Sequence, residues 1–439
     1  MTSPFGPVLL LWRGFLRSAA GAGGAVLARA VGALTLNKLL AVYGGPGGLT
    51  LLAQFQNLMA LLTALPADGV QVGAVKYLAP LRPGSPRHRA WLGAALLLSA
   101  ATVGAGLLLL AGLQALGLVS GAGEAVRGPG PGYEYGYGYG LLLGLGFFAI
   151  AGQALLGQAL LAAGRLRSFV ALAVVISALG TGAVAAGLAL GWPLPRLLLA
   201  YLLAQGLSLL PALWLSRRAG FGLPGRPATW ARPSRVALRA LGRFVLMAGS
   251  VLVFGRAVDF AVRALLIQRF GLAQTDLWQA VAKLSDNYTM VVAAVLSGVF
   301  FPRLAALSGQ PAAARAYTGA VLRLLALGLA AGLGLIYALR DWLLPLLFAP
   351  RLLAARELLA PQLLGDWAKF LTWVLLIPLL AQARLGRYVA AQASSAVLYV
   401  ALLVVLVPAR GLSGVVLAHA LRFGILLLAW GFWRLRSKE

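Results

Sequence analysis

A chain of 439 residues that is 61% hydrophobic and only 11% charged, with a mean hydropathy of +0.89, is not a soluble globule, whose charged share is about 25%. Its formal charge of +27 does not point to nucleic acid, because the basic residues sit in short connections between apolar runs and not on a soluble face. Cysteine is absent and histidine occurs only as His88 and His419, which excludes disulfides, thiolate chemistry and a histidine-rich metal site; no metal and no cofactor are expected.

Apolar runs of about 20 residues, each long enough to cross a bilayer, recur from end to end. In chain order they predict helices at 15–42, 49–79, 90–119, 140–163, 168–190, 194–216, 240–269, 276–304, 315–339, 358–383, 386–407 and 411–433. The expected fold class is an all-α polytopic membrane protein, with twelve transmembrane helices in two six-helix lobes around a central cavity. The lobes are expected at 1–216 and 240–439, joined by a basic cytoplasmic linker at 217–239. The first run follows Arg13 and Arg17 as a secretory leader would, but it continues to about Leu40 and a charge-free GGPGG turn, so it reads as a retained helix.

Orientation follows from the connections. Arg82, Arg87 and Arg89 follow the second run, and Arg165 and Arg167 follow the fourth. The linker carries Arg217, Arg218, Arg226, Arg232, Arg235 and Arg239 with no acid, and Arg434, Arg436 and Lys438 lie at the far end. With twelve spans all of these share one side. The opposite side has the uncharged turn 44–48 and the segment GPGPGYEYGYGYG (128–140), a flexible outer connection whose only charge is Glu134. Both termini are therefore expected in the cytoplasm. The second half is less regular, with Arg303, Arg315, Arg384, Arg387 and Arg410 on both sides. Segment 342–357 is apolar but broken by Pro345 and Pro350, and reads as an interfacial hairpin or an extension of the ninth span, not a further crossing. A faint repeat at an offset of 227 sets Tyr43-Gly44 against Phe270-Gly271 and Lys76 against Arg303, in line with paired lobes and a site between them.

Within the spans, charge is the informative feature, since each mid-bilayer charge costs at least ~2.5 kcal/mol. Arg256, Asp259 and Arg263 share one helical face; Gln279, Lys283 and Asp286 share another; Gln362, Asp366, Lys369 and Trp373 share a third. Gln54, Asn57, Asp68 and Gln71 form a stripe in the second span, and Arg29 in the first is placed to meet Asp68 across the hairpin. Two readings stay open. Arg256 with Asp259, Asp259 with Arg263, Lys283 with Asp286 and Asp366 with Lys369 are spaced for local neutralisation, which by itself permits insertion. Alternatively the charges line a hydrated cavity, and the surplus of Arg29, Lys38, Lys76, Arg256, Arg263, Lys283 and Lys369 suits an anionic ligand, ideally a phosphate. In that reading Asp68, Asp259, Asp286 and Asp366 are candidate coupling groups. Arginine outnumbers lysine 32 to 5, yet Lys38, Lys76, Lys283 and Lys369 lie in or at the ends of spans. His419 and Arg422 form a further spaced pair, read first as packing. No nucleophile elbow, phosphate loop or metal-ligand spacing is present, and no catalytic residue is assigned.

The stretches NKLLAVYGGPGGL (37–49), QFQNLMALL (54–62), GVQVGAVKYLA (69–79), LGRFVLMA (241–248), LWQAVAKLSDNY (277–288) and GDWAKF (365–370) resemble the Wzx-type polysaccharide (O-antigen) flippases, and most of all the branch serving enterobacterial common antigen. The resemblance implies the multidrug/oligosaccharidyl-lipid/polysaccharide exporter fold. It also implies movement of an undecaprenyl-diphosphate-linked oligosaccharide across a bacterial inner membrane by alternating access, with proton coupling as in an antiporter. A polysaccharide polymerase and chain-length proteins are the partners it implies, beside the lipid bilayer, and nucleic acid is not one. Lys38, Lys76, Asp286 and Asp366 stand inside the resembling stretches, whereas Asp68 departs from the family pattern of a small residue. The competing readings are a cation-coupled multidrug exporter of the same fold, an integral-membrane polysaccharide-processing enzyme, and a scaffold without transport.

Overall fold

The computed structural model describes residues 27–116, 137–221, 234–307, 310–381 and 385–436. Arg13 and Arg17, most of the Gly/Tyr connection, linker residues 222–233 and Arg384 lie outside the described residues.

The described residues are helical, without a strand. The helices are α1 (27–43), α2 (Gly48–Leu78), α3 (Pro86–Ala115), α4 (Tyr137–Ala162), α5 (Leu166–Ala189), α6 (Leu194–Arg218), α7 (Arg235–Val295), α8 (Pro311–Ala338), α9 (Arg340–Leu347), α10 (Arg356–Ala381), α11 (Leu385–Arg410) and α12 (Leu412–Arg436). Nine helices among the described residues are long and apolar enough to cross a membrane, and the chain is a multi-pass α-helical membrane protein. Twelve spans were expected. One of the nine, α7, is 61 residues long and takes in two expected spans, while α1 is described only from residue 27 and α10 is not among the nine.

α7 is broken at Gly271, whose φ of 74° and ψ of 169° end one helical run and begin the next without a loop. That backbone conformation is open essentially to glycine alone. The expected gap at 270–275 therefore shrinks to a single residue. α9 has 8 residues, about 12 Å of rise, and cannot cross about 30 Å of hydrocarbon. It is followed by a 3₁₀ turn at Pro350–Ala355, and Arg351 of that turn reaches the fully buried Asp276 of α7 at 3.7 Å.

The described residues fall into two compact units, one within Ala20–Arg269 and the other within Phe270–Glu439. In the first, Val70, Ala74 and Leu78 of α2, Leu92 and Ala95 of α3, Leu155, Leu156 and Ala159 of α4, and Ala237 and Leu241 of α7 form one apolar core. Close approach of α2 to α7 depends on Gly69 and Gly73: a Cβ on Gly69 would lie 2.9 Å from the Val245 Cα. Tyr77 and Trp91 stack beside this contact, with ring centroids 4.3 Å apart. In the second unit, Leu296, Phe300, Leu304 and Val374 cluster, as do Ala368, Phe423 and Leu426. Leu108, Leu327, Val404 and Leu428 remain exposed, as side chains in contact with lipid do.

Candidate functional site

The helices that carry the charges are irregular where the charges sit. π-helical turns occur at Leu65–Gln71 in α2, at Leu252–Arg256 in α7 and at Leu296–Phe300 just after it. Each such turn holds an extra residue and rotates the face that follows. In α2, Pro66 lacks the N–H that a regular turn needs, so the deviation has a local cause.

This rotation changes the partner of Asp68. Its carboxylate faces Arg256, the last residue of the second π turn, at 3.7 Å. The expected meeting of Asp68 with Arg29 is not formed. Arg29 instead lies over the ring of Phe169 on α5, 5.6 Å from its centroid. Both members of the Asp68–Arg256 pair are substantially exposed, so the contact contributes little stability.

The remaining candidates in the first unit are spread out. Lys76 is exposed near the end of α2, 5.6 Å from the rings of Tyr77 and Phe244. Lys38 is half-buried on α1 and Asp259 is exposed on α7. Arg263 is buried, and its Nη1 donates to the Ala53 carbonyl at 3.4 Å. An arginine that turns its fork toward a backbone carbonyl is held within the helix packing.

The second unit gathers its charges more tightly. Lys283 and Asp286 approach to 4.0 Å with Asp286 largely exposed. Asp366 is fully buried and is the centre of a polar cluster that joins α7, α10 and α12. Its Oδ1 accepts from Lys369 Nζ at 2.6 Å and faces His419 Nε2 at 3.1 Å. Its Oδ2 accepts from Ser285 Oγ at 2.6 Å, Tyr288 Oη at 2.5 Å and Gln362 Nε2 at 3.1 Å. Lys369 also donates to Thr289 Oγ1 at 3.1 Å. Donors face both oxygens of this carboxylate, which offsets the cost of shutting it off from water. α12 comes this close because position 365 is glycine: a Cβ there would sit 2.3 Å from His419 Cδ2 and 3.0 Å from the Ala420 Cα.

Of this cluster, Gln362, Asp366 and Lys369 were expected from their shared face. His419, which its spacing from Arg422 assigns to packing, faces the carboxylate directly. Ser285, Tyr288 and Thr289 were overlooked, although their spacing of three and four residues marks a polar stripe beside the Lys283 face. Arg422 turns away to donate to Ser395 Oγ at 2.7 Å. Trp373 packs edge-on against Phe370 in the apolar cluster around Val374. Among the described residues no group of three His, Cys, Asp or Glu side chains is placed to hold a metal ion.

The fold is that of the MOP-superfamily transporters. A multidrug resistance MATE family transporter of that superfamily, in an inward-facing conformation, matches with a TM-score of 0.65 at 14% identity over 94% of each chain. The lipid II flippase MurJ, in an inward closed conformation, matches with a TM-score of 0.61 at 11% identity, over 94% of this chain and 86% of that one. In sequence the chain is similar to the lipid III flippases of Escherichia coli (strain K12) and Shigella flexneri, each 28% identical over 419 residues, 92% of this chain and 95% of theirs. No family model matches the chain.

Proposed function

We propose that the protein is a flippase, a transporter and not an enzyme, that moves an undecaprenyl-diphosphate-linked oligosaccharide across a bacterial inner membrane by alternating access. The observation that carries this reading is the near full-length similarity to two proteins described as lipid III flippases, on a fold shared with a lipid II flippase. The excess of basic over acidic groups in the spans supports an anionic cargo, since a polyprenyl diphosphate must be met by cations wherever water is scarce. In this reading Lys38, Lys76, Arg256, Lys283 and Lys369 supply those cations, and both termini lie in the cytoplasm. A polysaccharide polymerase and chain-length proteins act on the delivered glycan.

The four acids are the coupling groups of the proposal. Asp68, Asp259 and Asp286 are at least partly exposed, whereas Asp366 is fully buried and faces Lys369 and His419. Reconstitution tests both parts. Proteoliposomes loaded with the lipid-linked saccharide are expected to show protein-dependent translocation that rises with an imposed pH gradient, and asparagine variants at the coupling position lose the gradient dependence. Gradient dependence that survives in Asp68→Asn, Asp259→Asn, Asp286→Asn and Asp366→Asn alike overturns proton coupling. Depletion of the protein in cells is expected to accumulate a lipid-linked saccharide on the cytoplasmic leaflet, and its chemical identification names the cargo. The MATE likeness keeps a cation-coupled multidrug exporter as the second reading; drug efflux without saccharide translocation would favour it.

A further inference from the structure

Inside the first unit, apart from the charge pairs, α1, α2, α4 and α5 line a partly open cavity of about 190 Å³. Its polar lining comes from Arg29, Thr63, Gln71, Gln153 and Gln158, with the Phe169 ring on one wall. None of the lining residues is acidic. Arg29 forms no ion pair with any described residue, and its guanidinium is held over Phe169. Gln153 is 5% exposed, and its Oε1 has no hydrogen-bond partner among the described residues. An amide oxygen buried without a donor is destabilising, and a ligand hydroxyl in the cavity would satisfy it.

These features specify a ligand. A planar guanidinium offers paired N–H donors that match a carboxylate in two-point contact. One cation balances one negative charge, whereas a diphosphate brings more charge than Arg29 alone neutralises. Three amides present donors and acceptors together, which suits hydroxyl groups better than a bare anion. A volume of this size accommodates a single sugar ring with its substituents.

We propose that this cavity receives a carboxylate-bearing sugar residue of the transported glycan, with Arg29 holding the carboxylate and Gln153, aided by Gln71 and Gln158, holding ring hydroxyls. The proposal rests on the flippase reading for its word glycan, but the site is testable without transport. Purified full-length protein in detergent is unfolded thermally with sodium glucuronate, with glucose, or with inorganic phosphate. Glucuronate at ten times its Kd is expected to raise the unfolding midpoint by about 2 °C, with glucose and phosphate without comparable effect. Arg29→Gln and Gln153→Leu lose the shift while keeping the ligand-free midpoint near that of the parent. Arg29→Lys keeps only part of it, because an ammonium lacks the fork. An equal shift with phosphate makes the cavity a general oxyanion site and overturns the sugar assignment. Equal protection by glucose, no glucuronate shift, or a shift that survives Arg29→Gln overturns the proposal as well. Saccharide translocation by a protein that ignores glucuronate sinks this inference and leaves the flippase reading standing; glucuronate binding without any translocation does the reverse.

Discussion

Asp366 shows what a charge inside a membrane helix requires. Lys369 and His419 face one oxygen, and three neutral donors saturate the other. Removing the charge alone leaves the Lys369 ammonium, 11% exposed, without a counter-ion. Asp366→Asn is therefore expected to cost about 3 kcal/mol of stability, read as a lower unfolding midpoint in detergent. The double variant Asp366→Asn with Lys369→Met removes the stranded cation and is expected to recover most of that loss; a double variant as unstable as the single one would contradict the pairing. Half of this cluster was legible in the sequence, because Gln362, Asp366 and Lys369 repeat at helical spacing on one segment. The other half was not, because Ser285, Tyr288 and His419 come from helices far away in sequence, and periodicity within a segment carries no information about which face meets which. The mispaired Asp68 has a different cause. Its face is displaced by the π turn at Leu65–Gln71, and a reading at regular helical pitch assigns it to the wrong neighbour.

At the scale of the element, glycine decides how closely helices approach and where they stop. A side chain at Gly365 collides with His419 and the Ala420 backbone, whereas one at Gly112 meets nothing within 4 Å. Gly365→Ala is expected to destabilise by about 1–3 kcal/mol through overpacking, and Gly112→Ala to stabilise by about 0.4–1 kcal/mol through the unfolded chain. Thermal unfolding of the two variants side by side checks both signs. Gly271 acts through the backbone instead. Nothing lies within 4 Å of its would-be Cβ, so the space is free, but φ 74° with ψ 169° is closed to other residues. Gly271→Ala is expected to cost about 1–3 kcal/mol from strain alone, and a neutral result would mean that the break in α7 is not needed in the folded state. The sequence contains these glycines among 55, and composition cannot separate a contact glycine from an idle one.

At the scale of the whole molecule, the membrane class follows from composition and run length, while the count of crossings depends on breaks as small as one residue. Side preference is a third quantity, set by where arginine falls in the connections. The turn after α1 carries no charge, whereas the connection after α2 carries Arg82, and Arg87 and Arg89 follow in the first turn of α3. In the orientation we propose, those arginines are retained in the cytoplasm, the first turn lies outside and, with an even number of spans, both termini lie inside. The chain has no cysteine, so single-cysteine variants report position without background. Tyr43, the last residue of α1, and Pro83, in the connection after α2, are both exposed. Tyr43→Cys is expected to react with a membrane-impermeant maleimide in intact spheroplasts, and Pro83→Cys only after permeabilisation. The reverse pattern would invert the protein and, with it, the direction in which the proposed cargo moves. Labelling of both sites from outside would mean that α2 does not cross, despite its 31-residue length.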